Sequence, residues 1–198
     1  MKLRNPIISL MALLSNAGAA QAACVSSDDL TNGIIVTYDE GTVEIHRQAG
    51  EDQVSVEQVV GDEVIQTWIL AKGVYNIQTI VWVEGRELSE HSYSIDFDVS
   101  PSDMPLPKPG DTWETHSVFQ SVSDGTLRQK IVYEYSKLRT LEIGPCSFKA
   151  ILVEERLPDI EIPNTLGSLY LPELGMSIHV ETNGRRVRNP VSLVAVGR

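Results

Sequence analysis

Tyr93-Ser94-Ile95-Asp96-Phe97-Asp98-Val99 alternates apolar and polar residues without a break. Successive side chains of an extended strand point to opposite faces. This period of two therefore predicts Tyr93, Ile95, Phe97 and Val99 on a covered face and Ser94, Asp96 and Asp98 toward water. A helix needs apolar residues every three to four positions, and no segment of the chain sustains such a stripe. Moving toward the N-terminus, Val74–Val83 ends in Ile80-Val81-Trp82-Val83, a run apolar on both faces that predicts a central strand. Val54–Val60 and Val64–Leu70 flank Gly61-Asp62, and Ile34–Tyr38 and Thr42–Gln48 flank Asp39-Glu40-Gly41. Both junctions are hairpin signals in which glycine takes positive φ. Ser26–Thr31 reads as one helical turn, with Ser26 or Ser27 as cap and acids at its start.

Toward the C-terminus the pattern breaks at Pro101, Pro105, Pro107 and Pro109, which exclude a central strand and favour extended polyproline geometry. It then restarts. Thr112–Val122 and Leu127–Tyr135 flank Asp124-Gly125, and Leu138–Ile143 leads through Gly144-Pro145 to Phe148–Glu154. Leu157–Leu166 carries Pro158 and Pro163 and reads as a loop, after which Ser168–Leu171, Met176–Glu181 and Val187–Val196 complete the strands. The expected fold is mainly β: a twisted antiparallel sheet, half-barrel or two-layer, with at most one short N-terminal helical turn. It comprises one β-rich domain, residues 23–198, in two halves (23–100 and 111–198) joined by a proline-rich crossover at 101–110.

The first residues carry the address. Lys2 and Arg4 precede an apolar run, Ile7–Leu14, and Ala20-Gln21-Ala22 matches the small-x-small pattern of signal peptidase sites. The run is too short for a bilayer anchor, which needs about 20 residues. Residues 1–22 are expected to be a cleaved signal peptide, with Ala23 the first mature residue and the mature chain periplasmic or secreted. Two cysteines, Cys24 and Cys146, suit an oxidising compartment, where an even count usually means pairing. The alternative is a lipoprotein acylated at Cys24, against which stands Gln21 where an aliphatic residue is normal. A Cys24–Cys146 bridge closes a loop of over a hundred residues, for which chain entropy suggests roughly 4–5 kcal/mol. It also ties the start of the first half to the middle of the second, favouring one domain over two independent ones.

Charge and motifs narrow the function. Without Lys2 and Arg4 the 16 basic residues become 14 against 27 acidic, and the net charge moves from −11 to −13. That excludes nucleic acid or an anionic membrane surface as a default partner. Arg185-Arg186-Val187-Arg188 follows Asn183-Gly184 and reads as a solvated hairpin edge. No nucleophile elbow, phosphate loop, dinucleotide fingerprint, H-E-x-x-H or C-x-x-C occurs. Glu44/His46, Glu114/His116 and His179/Glu181 each lie two residues apart, so each pair shares a strand face about 6.5–7 Å apart. Neighbouring strands would bring such pairs to one metal ion. Against this, Val43 and Ile45, and Met176, Ile178 and Val180, take the opposite parity, which puts the Glu/His pairs on the solvent face. His91 shares the parity of Tyr93, Ile95 and Phe97 and reads as a rim residue.

Leu141-Glu142-Ile143-Gly144-Pro145-Cys146-Ser147-Phe148-Lys149-Ala150-Ile151-Leu152-Val153-Glu154 resembles a strand, tight turn and strand of TapB-like and related exported bacterial β proteins of uncharacterised function. Ser168-Leu169-Tyr170-Leu171-Pro172-Glu173-Leu174-Gly175-Met176 is similar to their aromatic-x-x-Pro-x-x-Gly turn. The resemblance covers about residues 111–182. The chain departs from the pattern where Gly144 precedes Pro145 and Cys146 replaces a common glycine. The family implies a curved antiparallel sheet, like the half-barrel of bacterial lipoprotein carriers, and no catalytic residues.

These features lead to an exported, non-catalytic binding or interaction module. Its expected apolar groove is lined by Tyr93, Ile95, Phe97, Ile131, Tyr133 and Tyr135, and its partner is an apolar small molecule or another envelope protein. No cofactor or metal, no nucleic acid and no mature transmembrane segment are expected. The alternative is a metal-dependent hydrolase using the Glu/His pairs or Asp96 and Asp98.

Overall fold

The computed structural model describes residues 24–159 and 165–197. The expected signal peptide and the Ala23 start lie outside the described residues. A single 3-10 turn, Ser27–Thr31, follows Ser26, whose backbone N–H donates to the Asp29 carboxylate at 2.8 Å. Among the described residues all other regular structure is strand. The first half supplies β1 (Ile34–Tyr38), β2 (Val43–Gly50), β3 (Gln53–Val60), β4 (Glu63–Ala71), β5 (Tyr75–Val83), β6 (Arg86–Glu87) and β7 (Tyr93–Phe97). The second supplies β8 (Thr112–Ser121), β9 (Gly125–Tyr135), β10 (Arg139–Ile143), β11 (Cys146–Arg156), β12 (Thr165–Leu171), β13 (Met176–Thr182), β14 (Arg185–Arg186) and β15 (Pro190–Ala195).

All of these strands pair antiparallel in one sheet ordered β14-β13-β12-β11-β9-β8-β7-β5-β4-β3-β2-β1-β15, with β6 beside β5 and β10 beside β11. The sheet is open: β14 and β15 end the path. The proline segment does not interrupt it, because β7 and β8 pair from Tyr93 opposite Ser121 to Phe97 opposite Ser117. The last strand returns to the first, with Ile34 opposite Ala195. Cys24 and Cys146 are bonded, with Cα atoms 5.7 Å apart across 122 residues. The thiol that acylation would use is therefore engaged.

The sheet curls far enough that its own strands face one another. One core cluster joins Ile34, Val36 and Val54 from β1 and β3 to Leu169, Leu171, Met176, Ile178 and Val180 from β12 and β13. A second joins Tyr75, Ile131, Tyr133 and Tyr135 to Ile151, Val153 and Tyr170. The turns from β4 to β5 and from β12 to β13 meet at Gly73, where a Cβ would stand 2.0 Å from the Gly175 carbonyl oxygen. Gly73 also has φ +69°, so only glycine serves both demands.

Three sequence expectations are corrected by this architecture. Ile80–Val83 is central in pairing order but only half covered, with Val83 exposed, because the end of β5 pairs with the two-residue β6 rather than with a long neighbour. Val99 lies beyond the end of β7 and is exposed, as the chain turns into the proline segment. Val187–Val196 is not one strand: β15 starts at Pro190, and Arg188 turns inward instead of lying on a solvated edge.

Candidate functional site

β1 places the fully buried Ile34, Val36 and Tyr38 on one face. Register carries that face to β2, where His46 stands opposite Ile34 and Glu44 opposite Val36. Glu44 and His46 are consequently interior residues, 2% and 0% exposed. This overturns the expectation that Val43 and Ile45 point inward on β2 and the Glu/His pair outward. The physical reason is a partner 144 residues away. Arg188 donates from Nη2 to Glu44 Oε1 at 2.6 Å, and its guanidinium lies 4.1 Å over the Tyr38 ring. The other carboxylate oxygen accepts from Tyr38 Oη at 2.5 Å and lies 3.2 Å from His46 Nε2. A buried carboxylate is tolerable when matched this completely.

Electrostatics follow the geometry. Burial alone would raise Glu44, but His46, the Arg188 guanidinium and the Tyr38 hydroxyl together outweigh it and hold the carboxyl at about 2. Burial, followed by the neighbouring negative charge, drives the Tyr38 phenol far up. Arg188 also donates from Nε to the backbone oxygen of His179 at 2.8 Å. His179 is pulled down to about 4 by burial and by Arg188, so its imidazole is neutral at pH 7.

Beside this cluster lies a partly open cavity of about 270 Å³. Its apolar wall is Val56, Trp68, Leu70, Val74, Val153 and Leu166. Glu44, His179 and Arg188 border it on one side; Asn76, Tyr93, Tyr133 and Glu155 also line it. Glu155 faces inward because it stands opposite Tyr133 in the β11–β9 register and shares the parity of the buried Ile151 and Val153. Burial pushes its carboxyl up to about 7, against the opposing pull of a hydrogen bond from Tyr133. Asn76 donates to Thr79 Oγ1 at 2.9 Å, while its Oδ1 is buried without a partner among the described residues.

The six expected groove residues divide. Tyr93 and Tyr133 line the cavity. Ile131 and Tyr135 are packed in the second core cluster, where the Tyr135 and Tyr75 hydroxyls lie 2.6 Å apart. Phe97 stacks on Trp113 with ring centroids 6.1 Å apart, and Trp113 stacks in turn on Tyr133 at 5.5 Å. Ile95 stands opposite Phe119 and, with Phe97 and Met104, borders a shallow surface depression.

The Glu/His pairs do not converge. Glu114 and His116 are exposed on β8, where Glu114 pairs with Lys130 at 2.7 Å and His116 lies 3.8 Å from Asp98. His179, expected on the solvent face, instead lines the cavity, and Glu181 is half-buried beside Arg186. Asp96 accepts from Gln120, and Asp98 from Arg128, both at the surface. Among the described residues no three His, Cys, Asp or Glu side chains are placed to share one ion.

No protein-family model matches the chain, and none of the curated proteins matches it. A solved structure similar to it is that of the hypothetical lipoprotein YmcC from Escherichia coli K12, with TM-score 0.45 and 11% identity over 77% of this chain and 78% of that one. Among the described residues no helix is long and apolar enough to cross a membrane.

Proposed function

We propose that this is an exported binding protein that takes up the apolar part of a small molecule in the cavity between β3–β5 and β11–β13. The supporting observation is the cavity itself, about 270 Å³ of partly open space walled by Trp68, Leu70, Val153 and Leu166. Ligand pockets of this kind are mostly apolar with a few placed polar groups, and this volume suits a single chain or ring system rather than a large ligand. Binding is favoured over catalysis because the charged groups of the neighbouring cluster already satisfy one another. Glu44 is engaged by Arg188, Tyr38 and His46. A periplasmic or secreted location fits the disulfide, since such bonds persist in oxidising compartments. A single domain and kinship of residues 111–182 with TapB-like proteins belong to the same proposal.

The test is titration of the folded, disulfide-intact protein with a hydrophobic fluorescent probe. Saturable binding near one site per chain is expected, together with its loss in a folded Val153→Trp variant whose indole fills the cavity. Absence of saturable binding to the wild type would refute the proposal.

A further inference from the structure

We infer that the cavity selects a ligand carrying an amine or other cationic donor on its apolar body, with Glu155 and the Asn76 carbonyl oxygen as the groups that receive it. The inference rests on the binding reading above and adds the chemistry of the head group. It starts from charge. The cation at the cavity wall, Arg188, is already matched by Glu44, and its Nε is engaged by the His179 carbonyl. The guanidinium lies over the Tyr38 ring, 4.1 Å from its centroid. It offers an incoming anion little that Glu44 does not already take.

The acid is in the opposite condition. Arg156, next in the chain to Glu155, pairs with Glu134 and Glu154 instead. Among the described residues no ion pair includes Glu155. Its neighbour across the sheet is the Tyr133 phenol, and Tyr93 lines the same space. The remaining titratable groups on the cavity wall are Glu44, His179 and Arg188; the first and last cancel, and the imidazole is neutral. Among the described residues the cavity therefore holds one carboxyl without a countercharge.

Asn76 supplies an independent sign. Its Nδ2 is used by Thr79 and lies 3.4 Å from the Tyr93 hydroxyl, yet Oδ1 is buried with no donor among the described residues. A buried acceptor left alone is destabilising, so a donor from a ligand recovers that loss. Two acceptors and aromatic faces around an apolar wall define a site for an N–H-bearing cation. The Tyr93 and Tyr133 rings can add cation–π attraction.

The experiment compares n-octylamine, n-octanol and n-octanoate by calorimetric titration of the mature disulfide-bonded protein at pH 8. Octylamine is expected to bind at least tenfold more tightly than octanol, and octanoate most weakly. Glu155→Gln should remove the amine preference, so that octylamine and octanol bind the variant within about twofold of each other. Since the carboxylate is the receiving form, amine affinity should rise with pH through about 7. Equal affinity of the wild type for octylamine and octanol would overturn this inference and leave the apolar cavity standing. Undiminished amine binding by a folded Glu155→Gln protein would overturn it too. Failure of all three compounds to bind would overturn the binding reading as well.

Discussion

Arg188→Met tests whether the Arg188–Glu44 pair holds the curled sheet together. Glu44 is 2% exposed, and among the described residues the 2.6 Å contact from Arg188 is its one bond to a permanently charged group. Removing one partner of a buried pair typically costs 3–5 kcal/mol, because the other charge is left in a low-dielectric site. Methionine keeps most of the apolar stem, which limits the packing loss. At 2–4 °C per kcal/mol for a chain of this size, the thermal midpoint should fall by about 6–20 °C. The pH dependence gives a second signature. Glu44 is depressed to about 2 in the fold against an ordinary value of 4.5. Its interactions therefore stabilise the wild type fully above about pH 4.5 and progressively less as pH falls toward 2. The gap between wild type and Arg188→Met should narrow over that window. Urea denaturation at pH 7 and pH 3.5 measures it, with Glu44→Gln and the double variant closing the cycle. The double variant should be more stable than the sum of the single losses predicts, by at least 2 kcal/mol. A loss under about 1 kcal/mol at pH 7, or additivity within 0.5 kcal/mol, would refute the reasoning.

Replacing Cys24 and Cys146 together by serine opens a loop with a sequence separation of 122, for which chain entropy gives about 5 kcal/mol; denaturation should show a loss of 2–5 kcal/mol, and an unchanged midpoint would sink the claim. Gly73→Ala forces a Cβ to 2.0 Å from the Gly175 oxygen at φ +69°, whereas Gly61→Ala, at φ +63°, meets nothing within 4 Å. The first should cost about 2–5 kcal/mol and the second only about 1–2, as read from urea midpoints; equal costs would count against the turn–turn contact. Glu155, raised to about 7, keeps its proton in the fold where the unfolded chain has lost it. Stability should therefore drop by about 1–3 kcal/mol as pH rises from 4.5 to 7.5, and Glu155→Gln should flatten that limb; identical pH profiles for the two proteins would contradict the assignment.

The period of two was readable because each strand has a covered face, and hairpin signals at Gly41, Gly61 and Gly125 fixed the β1–β2, β3–β4 and β8–β9 junctions. The sheet order across Pro101–Pro109 was not readable, since pairing of Ile95 with Phe119 is a choice among topologies that local pattern leaves open. Glu155 carried a usable sign: it has the parity of Ile151 and Val153, whose apolar character marks that face. Glu44 carried none. The parity of Val43 and Ile45 argued the other way, and the counterion that reverses the argument comes from Arg188, beyond any local window.

The misplacement of His179 has a more general cause, and the same cause makes the cavity. Alternation distinguishes two faces of a strand; it does not say that one of them is wet. On β12 and β13, Leu169, Leu171, Met176, Ile178 and Val180 enter the first core cluster. The opposite face, with Leu166, Ser168, Ser177 and His179, would be solvated in a flat sheet. Here the sheet curls until β3, β4 and β5 lie across from it, and both sets line one cavity. A hairpin built with one apolar and one mixed face has thus become an internal partition. Its apolar side packs into the first core cluster, as aliphatic side chains can interdigitate to high density. Its mixed side does not fill the gap to Trp68 and Leu70, because serine is small and an imidazole tethered by hydrogen bonding to Thr182 at 3.3 Å is not free to swing inward. Space and polarity therefore arise together on that face. Substituting Ser168 and Ser177 by larger aliphatic residues should close the cavity without disturbing the packed side.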